Sequence, residues 1–175
     1  MRILAIDPGT QCGYAVGDES EVNASGKWDI KPGRGDSPGM RYLKLRSKLN
    51  TTCAAFPDIK LVVYEQPQAF LVKYRGGTAS QIAYGLAGEI ESWCAGVGLN
   101  HTAVPATTLK KWATGKGNAN KDAMVRIGRE RFERCGVRLT TDSDDEVDAL
   151  WLLHYAVLEW GTAEKQSAEG KVAPW

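Results

Sequence analysis

Residues 3–16 read ILAIDPGTQCGYAV. An apolar run ends on Asp7, and the chain turns at once through Pro8 and Gly9. A carboxylate closing a core strand is costly to bury unless something pairs with it, and a cation is one candidate partner. RILAID (2–7) and CGYAVG (12–17) therefore read as two strands joined by a Pro-Gly turn, and VNASGKWDI (22–30) as a third. The three make an antiparallel meander. Gly9 and Gly13 are expected to let a phosphate approach the backbone beside Asp7.

Downstream, KPGRGDSPG (31–39) is loop by composition. Tyr42, Leu45, Leu49 and Cys53 recur at helical spacing over 40–56, and Pro57 ends that helix. KLVVYE (60–65) is a β-branched apolar run and hence a buried strand, closed by Glu65 as the first is closed by Asp7. After a loop at 66–77, a helix is expected over 78–95, a short strand over 101–105 and two helices near 106–113 and 120–135. The loop Gly115-Lys116-Gly117-Asn118 divides those two, and a last helix spans roughly 143–160. The order βββ-α-β-α-β-α-α, with that last helix, describes an α/β fold. Its mixed five-stranded sheet has three antiparallel strands, then parallel additions through helical crossovers, with helices on the faces. Residues 1–160 read as one domain and 161–175 as a loosely ordered C-terminal tail.

Composition bounds the function. The chain has 175 residues, 43% hydrophobic and 25% charged, with a net charge of +1. This is ordinary for a soluble globular protein. Charge at Arg2 and Asp7 breaks any signal-peptide core, and no apolar run approaches membrane-span length. Cys12, Cys53, Cys94 and Cys135 show no Cys-x-x-Cys and no nearby His, which argues against zinc. Reduced thiols in a cytoplasmic compartment are the default. The balanced total hides an asymmetry: residues 101–138 carry a net charge of +6 and residues 139–175 a net of −6. A basic segment beside an acidic one suits a polyanion held against metal-binding carboxylates; a solvated mixed surface is the plain alternative.

If the strands ending in Asp7 and Glu65 are parallel neighbours, both carboxylates emerge at the C-terminal sheet edge, where open α/β sheets place ligands. The last helix adds D-D-E-V-D-A-L, with Asp145 and Asp148 three residues apart on one face. Leu150, Leu153 and Val157 are available to press it onto the sheet. Taken singly, each acid has a plainer role: a turn cap at Asp7, a strand-end surface acid at Glu65, an N-cap among Asp142, Ser143 and Asp144, and charges suited to the positive helix end at Asp145 and Glu146. Taken together, four acids in one crevice repel strongly unless divalent cations neutralise them. All-oxygen ligation selects Mg²⁺ or Mn²⁺. Two such ions about 3.5–4 Å apart serve phosphodiester cleavage. Asp144, four residues before Asp148, competes with Asp145 for the fourth place.

DPGTQCGYAV, VVYEQP and the Asp145–Leu150 D-x-x-D-A-L, in that order and spacing, resemble RuvC-type Holliday junction resolvases of the ribonuclease H-like nuclease superfamily, over about residues 1–157. The small size and divergence suggest a phage or otherwise outlying member. The resemblance implies a homodimer that cuts two strands of a four-way DNA junction symmetrically, with Mg²⁺, two per active site, held by Asp7, Glu65, Asp145 and Asp148. It places a lysine on a short helix and a second opening the next helix: here Lys110 and Lys121, flanking a Gly-x-Gly loop that carries Lys116. All three are expected to meet DNA, and Lys121 also the transition-state charge. Phe70 stands where the family stacks an aromatic on an unpaired base, with Lys73, Tyr74 and Arg75 beside it; an aromatic packing down its own loop is the alternative. The chain departs from the family in an inserted-looking Gln66-Pro67-Gln68 and in Arg75-Gly76-Gly77, which leaves substrate preference open.

No nucleotide cofactor and no membrane partner are expected, and the location is the cytoplasm of a bacterial or phage-infected cell. Asp-x-Gly-Thr after a strand also occurs in sugar kinases and actin-like ATPases, but those need a second lobe with a second copy of the motif, which this sequence lacks. A nuclease of the same fold acting on flaps, other branched DNA or RNA–DNA hybrids, and an inactive DNA-binding module, are the other rivals. In the helix at 78–95, Ala79, Ala83, Gly85, Ala87 and Gly88 leave faces bare enough for close approach of a second copy, with Ile82, Leu86 and Ile90 adding apolar contact. The same small residues would also let the helix lie tight on its own sheet.

Overall fold

The structure, a computed structural model, describes residues 1–67, 78–141 and 143–161. Alternating side chains give β1 (Arg2–Asp7) two buried faces, which is why its sequence is apolar without interruption. It pairs antiparallel with β2 (Cys12–Gly17), and β2 pairs antiparallel with β3 (Val22–Trp28). On its other side β1 runs parallel to β4 (Ile59–Gln66), which runs parallel to β5 (Asn100–Pro105). The sheet order β3-β2-β1-β4-β5 is the mixed arrangement the strand patterns imply.

Helices α1 (Met40–Ala55) and α2 (Thr78–Val97) cover one face of the sheet; α3 (Ala106–Thr114), α4 (Lys121–Arg134) and α5 (Asp144–Trp160) lie on the other. Leu4, Ile6, Val62 and Tyr64 point into a core shared with Leu45, Leu49, Leu86 and Ile90. Ile3, Ala5, Ala15, Leu61 and Val63 point the opposite way, onto Val147, Leu150, Leu153 and Val157 of α5. No helix among the described residues is long and apolar enough to cross a membrane.

Three differences from the sequence reading have local causes. β3 stops at Trp28 because the Asp29 side chain accepts the Lys31 amide at 3.0 Å and turns the chain; Ile30 remains buried outside the strand. α2 continues to Val97, and Gly98, with φ +72°, supplies the left-handed residue that ends it. α5 is buried nearly all round, because α3 and α4 cover the side turned away from the sheet. There Trp151 Nε1 donates to the Met124 carbonyl at 3.0 Å, and a Cβ on Gly128 would meet that ring nitrogen at 2.6 Å.

Gly85 differs in meaning as well. A Cβ there would lie 2.3 Å from the Tyr42 hydroxyl of α1, so this gap in α2 is filled from within the chain and is not open to a partner. Leu86, Ala87 and Ile90 are likewise buried in the same core. Gly88 faces open space, and Tyr84 is 44% exposed.

Candidate active site

Parallel pairing of β1 and β4 puts Ile6 opposite Tyr64, so Asp7 and Glu65 both follow at the C-terminal edge of adjacent strands. α5 enters that edge with Ser143 as its N-cap; the hydroxyl accepts the Asp145 amide at 3.3 Å and donates to Asp145 Oδ2 at 2.5 Å. The carboxylate of Asp145 is thus oriented by the cap itself. Gly13 of β2 allows this approach: a Cβ there would stand 1.8 Å from the Asp145 carbonyl oxygen. The space at Gly13, expected to admit a phosphate, is occupied by the first turn of α5. Gly9 is required by its own turn, since a Cβ would lie 2.8 Å from the Gln11 carbonyl.

The charges at this edge oppose one another. Burial, then the charges of Asp148, Glu65 and Asp145, drive the Asp7 carboxyl well above the usual aspartate range, with Lys121 acting against them. No described residue donates a hydrogen bond to Asp7. Burial and Asp148 push Glu65 up to about 7, with Lys110 and Lys121 pulling the other way. Asp148 rises to about 6, chiefly by burial, with Asp145 and Asp144 also raising it and Lys121 and Lys110 lowering it. Asp145, Glu65 and Asp148 therefore all act on Asp7, whereas Asp144 acts on Asp148 and not on Asp7. Asp144 also takes part in the Lys121 ion pairs, at 3.9 Å from Nζ against 3.8 Å for Asp148.

Glu65, Lys110, Lys121 and Asp148 line one crevice of about 170 Å³, floored by Ala106, Leu109 and Met124. Lys116 is exposed on the loop after α3 and is not among its lining residues. That loop begins at Gly115, whose φ of +77° closes the α3 C-terminus. Phe70, Lys73, Tyr74 and Arg75 lie outside the described residues, as do Asp142 and 162–175.

Among the described residues no three His, Cys, Asp or Glu side chains gather at ligation distance around one point. The donor set nevertheless suits a hard divalent cation. It is made of carboxylates only, Asp7 takes no hydrogen bond from a described residue, and burial, with repulsion from the neighbouring acids added to it, raises the pKa values of Asp7, Glu65 and Asp148.

Glu146, between the two candidate ligands of α5, has a role the sequence reading did not give it. It is 0% exposed and accepts hydrogen bonds from Ser25 Oγ, from the Thr140 and Thr141 amides and from both threonine hydroxyls. Burial raises its pKa, but these donors more than offset that and hold it below the usual glutamate range. The available signal was Ser143-x-x-Glu146, a capping-box spacing. Here the glutamate reaches across to the sheet instead of back to its own N-cap amide.

No protein-family model matches the chain, and no curated protein sequence does. Solved structures do. A structure of Thermus thermophilus RuvC superposes with a TM-score of 0.68 over 100% of both chains at 18% identity. T. thermophilus RuvC in complex with a Holliday junction substrate gives 0.70 at 20% identity, covering 91% of this chain and 96% of that one. The yeast mitochondrial Holliday junction resolvase Ydc2 gives 0.56 at 14% identity, over 97% and 84%. The fold is thus the RuvC-like, ribonuclease H-like α/β fold.

Proposed function

We propose that this chain is a single-domain, divalent-metal-dependent endonuclease that resolves four-way DNA junctions by paired phosphodiester hydrolysis. The observation that carries this is the placement of Asp7 and Glu65 at adjacent parallel strand ends, with Asp145 and Asp148 at the start of the helix that enters the same edge, in a RuvC-like fold. The junction bound in one of its structural neighbours supports the choice of substrate.

Asp7, Glu65, Asp145 and Asp148 would hold Mg²⁺ or Mn²⁺, two per site. When bound, such ions supply a water of lowered pKa and charge stabilisation at the leaving oxygen. The chain's own residues do the rest. Ser143 orients the Asp145 carboxylate, and Gly13 lets the first turn of α5 sit against β2. Lys110 and Lys121 place positive charge beside the carboxylates, where a phosphate diester would enter the crevice. Phe70 with Lys73, Tyr74 and Arg75 is proposed to contact unpaired bases, and Lys116 the DNA backbone. The location we propose is the cytoplasm of a bacterial or phage-infected cell.

Replacing Lys121 by alanine is expected to lower cleavage by about 10²-fold, the loss typical of one donor to transition-state charge. Binding of the wild type is expected to weaken steeply with salt, with a log–log slope smaller by about 1 in the variant. Salt-independent binding measured by fluorescence anisotropy would remove the polyanion from the proposal.

A junction presents two equivalent strands, so paired incision calls for two sites related by a dyad. Because Tyr42 fills the gap at Gly85, the strip of α2 left for a second copy is that of Gln81, Tyr84 and Gly88. Gly88→Arg enters open space and is expected to give a folded monomer that nicks junctions singly. Sedimentation of the wild type as a monomer, both free and on a junction, would end the dimer.

Cleavage of a four-way junction, a flap, an RNA–DNA hybrid and a linear duplex, each with Mg²⁺ and with chelator, tests the whole proposal. Metal-dependent cutting with preference for the junction supports it. Preference for the flap or hybrid reassigns the substrate, and inactivity on all four leaves a DNA-binding module.

A further inference from the structure

Four acids at one edge repel, and two of them ride on the first two turns of a helix, Asp145 in the first turn, which, like the last, holds fewest internal hydrogen bonds. Something must stop that turn from rotating or fraying away from β1 and β4. Two contacts on the far side of the turn do so. Gly13 of β2 seats the Asp145 carbonyl, at a spacing that admits no side chain. Glu146, pointing opposite to the crevice, is tied to β3 by Ser25 Oγ at 2.7 Å, to the Thr140 amide at 3.0 Å and to the Thr141 amide at 2.7 Å. The Thr141 hydroxyl adds a bond at 2.9 Å, and the Thr140 hydroxyl shares its one proton between Glu146 and the Ser25 carbonyl. Residues 121 positions apart in sequence are thereby joined through a single carboxylate.

We propose that Glu146 is a positioning residue for the cation site: its buried clasp to Ser25, Thr140 and Thr141 fixes the first turn of α5 so that Asp145 and Asp148 face Asp7 and Glu65. The inference rests on the reading of those four acids as divalent-cation ligands. A hydrocarbon in place of Glu146 would fill space equally well, but it would not tie three separate segments at fixed angles. A carboxylate accepts from all of them at once.

The test is Mn²⁺ binding to the full chain without DNA, followed by calorimetry and by the paramagnetic signal of free Mn²⁺. Glu146→Gln loses acceptor capacity at one oxygen, and Ser25→Ala removes one donor while leaving the carboxylate; both are expected to raise half-saturating Mn²⁺, by about tenfold or more for Glu146→Gln. The Mn²⁺ needed for half-maximal cleavage should rise in parallel, with turnover at saturating Mn²⁺ largely recovered. Leu49→Ala, a cavity in the core on the opposite face of the sheet, should lower thermal stability without moving either Mn²⁺ value. That contrast separates positioning from general stability. Should Glu146→Gln fail to fold, Ser25→Ala carries the comparison alone. Wild-type Mn²⁺ affinity retained in the folded variants overturns the inference. A wild type that binds no Mn²⁺ overturns the cation reading beneath it.

Discussion

Asp7→Asn is expected to abolish DNA cleavage while leaving DNA binding largely intact, and Glu65→Gln and Asp148→Asn should do the same. Each removes one carboxylate from a site where charge stabilisation of several kcal/mol is at stake, so a loss of about 10³-fold or more is anticipated. In the proposed function phosphate affinity would rest on Lys110, Lys121 and the rest of the basic segment, not on these acids, so anisotropy should register little change. Asp145→Asn is expected to be severe and Asp144→Asn mild. Asp145 bears on Asp7 and is oriented by Ser143, whereas Asp144 engages only Asp148 and the exposed Lys121 ammonium. Near wild-type turnover in Asp7→Asn, Glu65→Gln or Asp148→Asn would remove that residue from the site. A severe Asp144→Asn beside a mild Asp145→Asn would shift the helix ligand by one.

The second large effect is on stability, and its sign is unusual for a carboxylate. Glu65 and Asp148 titrate near pH 7 and 6 in the folded chain, both above their ordinary values. In the unfolded chain they ionise near pH 4–4.5. The protonated forms favour the folded state, so this contribution is complete below about pH 4 and drains away as pH rises through 6–7. In chelator at pH 8, Glu65→Gln should therefore be more stable than the wild type by about 2 kcal/mol. That corresponds to roughly 4–8 °C in Tm for a chain of this size. Adding Mg²⁺ at pH 8 should raise the wild-type Tm and largely close the gap. Thermal unfolding with and without Mg²⁺ at pH 5 and pH 8 reads all of this. A Glu65→Gln variant less stable than the wild type in chelator at pH 8 would contradict it.

Much of this arrangement is legible in the chain because it depends on local pattern. RILAID and KLVVYE are apolar runs that end in acids, and both become buried strands whose last carboxylate reaches the sheet edge. Ser143 was one of three candidate N-caps, and the cap fixes the register that sends Asp145 and Asp148 to one face. What the sequence hides are contacts between distant segments. Nothing near Gly13 announces that the Asp145 carbonyl will take the place of its side chain, and nothing near Gly85 announces the Tyr42 ring. Glu146 sits in an acidic run that looks solvated. Only with Ser25 and Thr140–Thr141 in place is it the one charged side chain among the described residues wholly withdrawn from water. The all-round burial of α5 was hidden for the same reason: its second apolar face becomes interior only once α3 and α4 pack over it.

The central claim is that Asp7, Glu65, Asp145 and Asp148 converge to hold divalent cations. Crystals of the protein equilibrated with Mn²⁺ and measured for anomalous scattering test it most directly. One or two manganese peaks bounded by oxygens of these four residues, absent in Asp7→Asn crystals, are the expected result. Manganese bound elsewhere with this sheet edge empty, or a site undisturbed by Asp7→Asn, would contradict it.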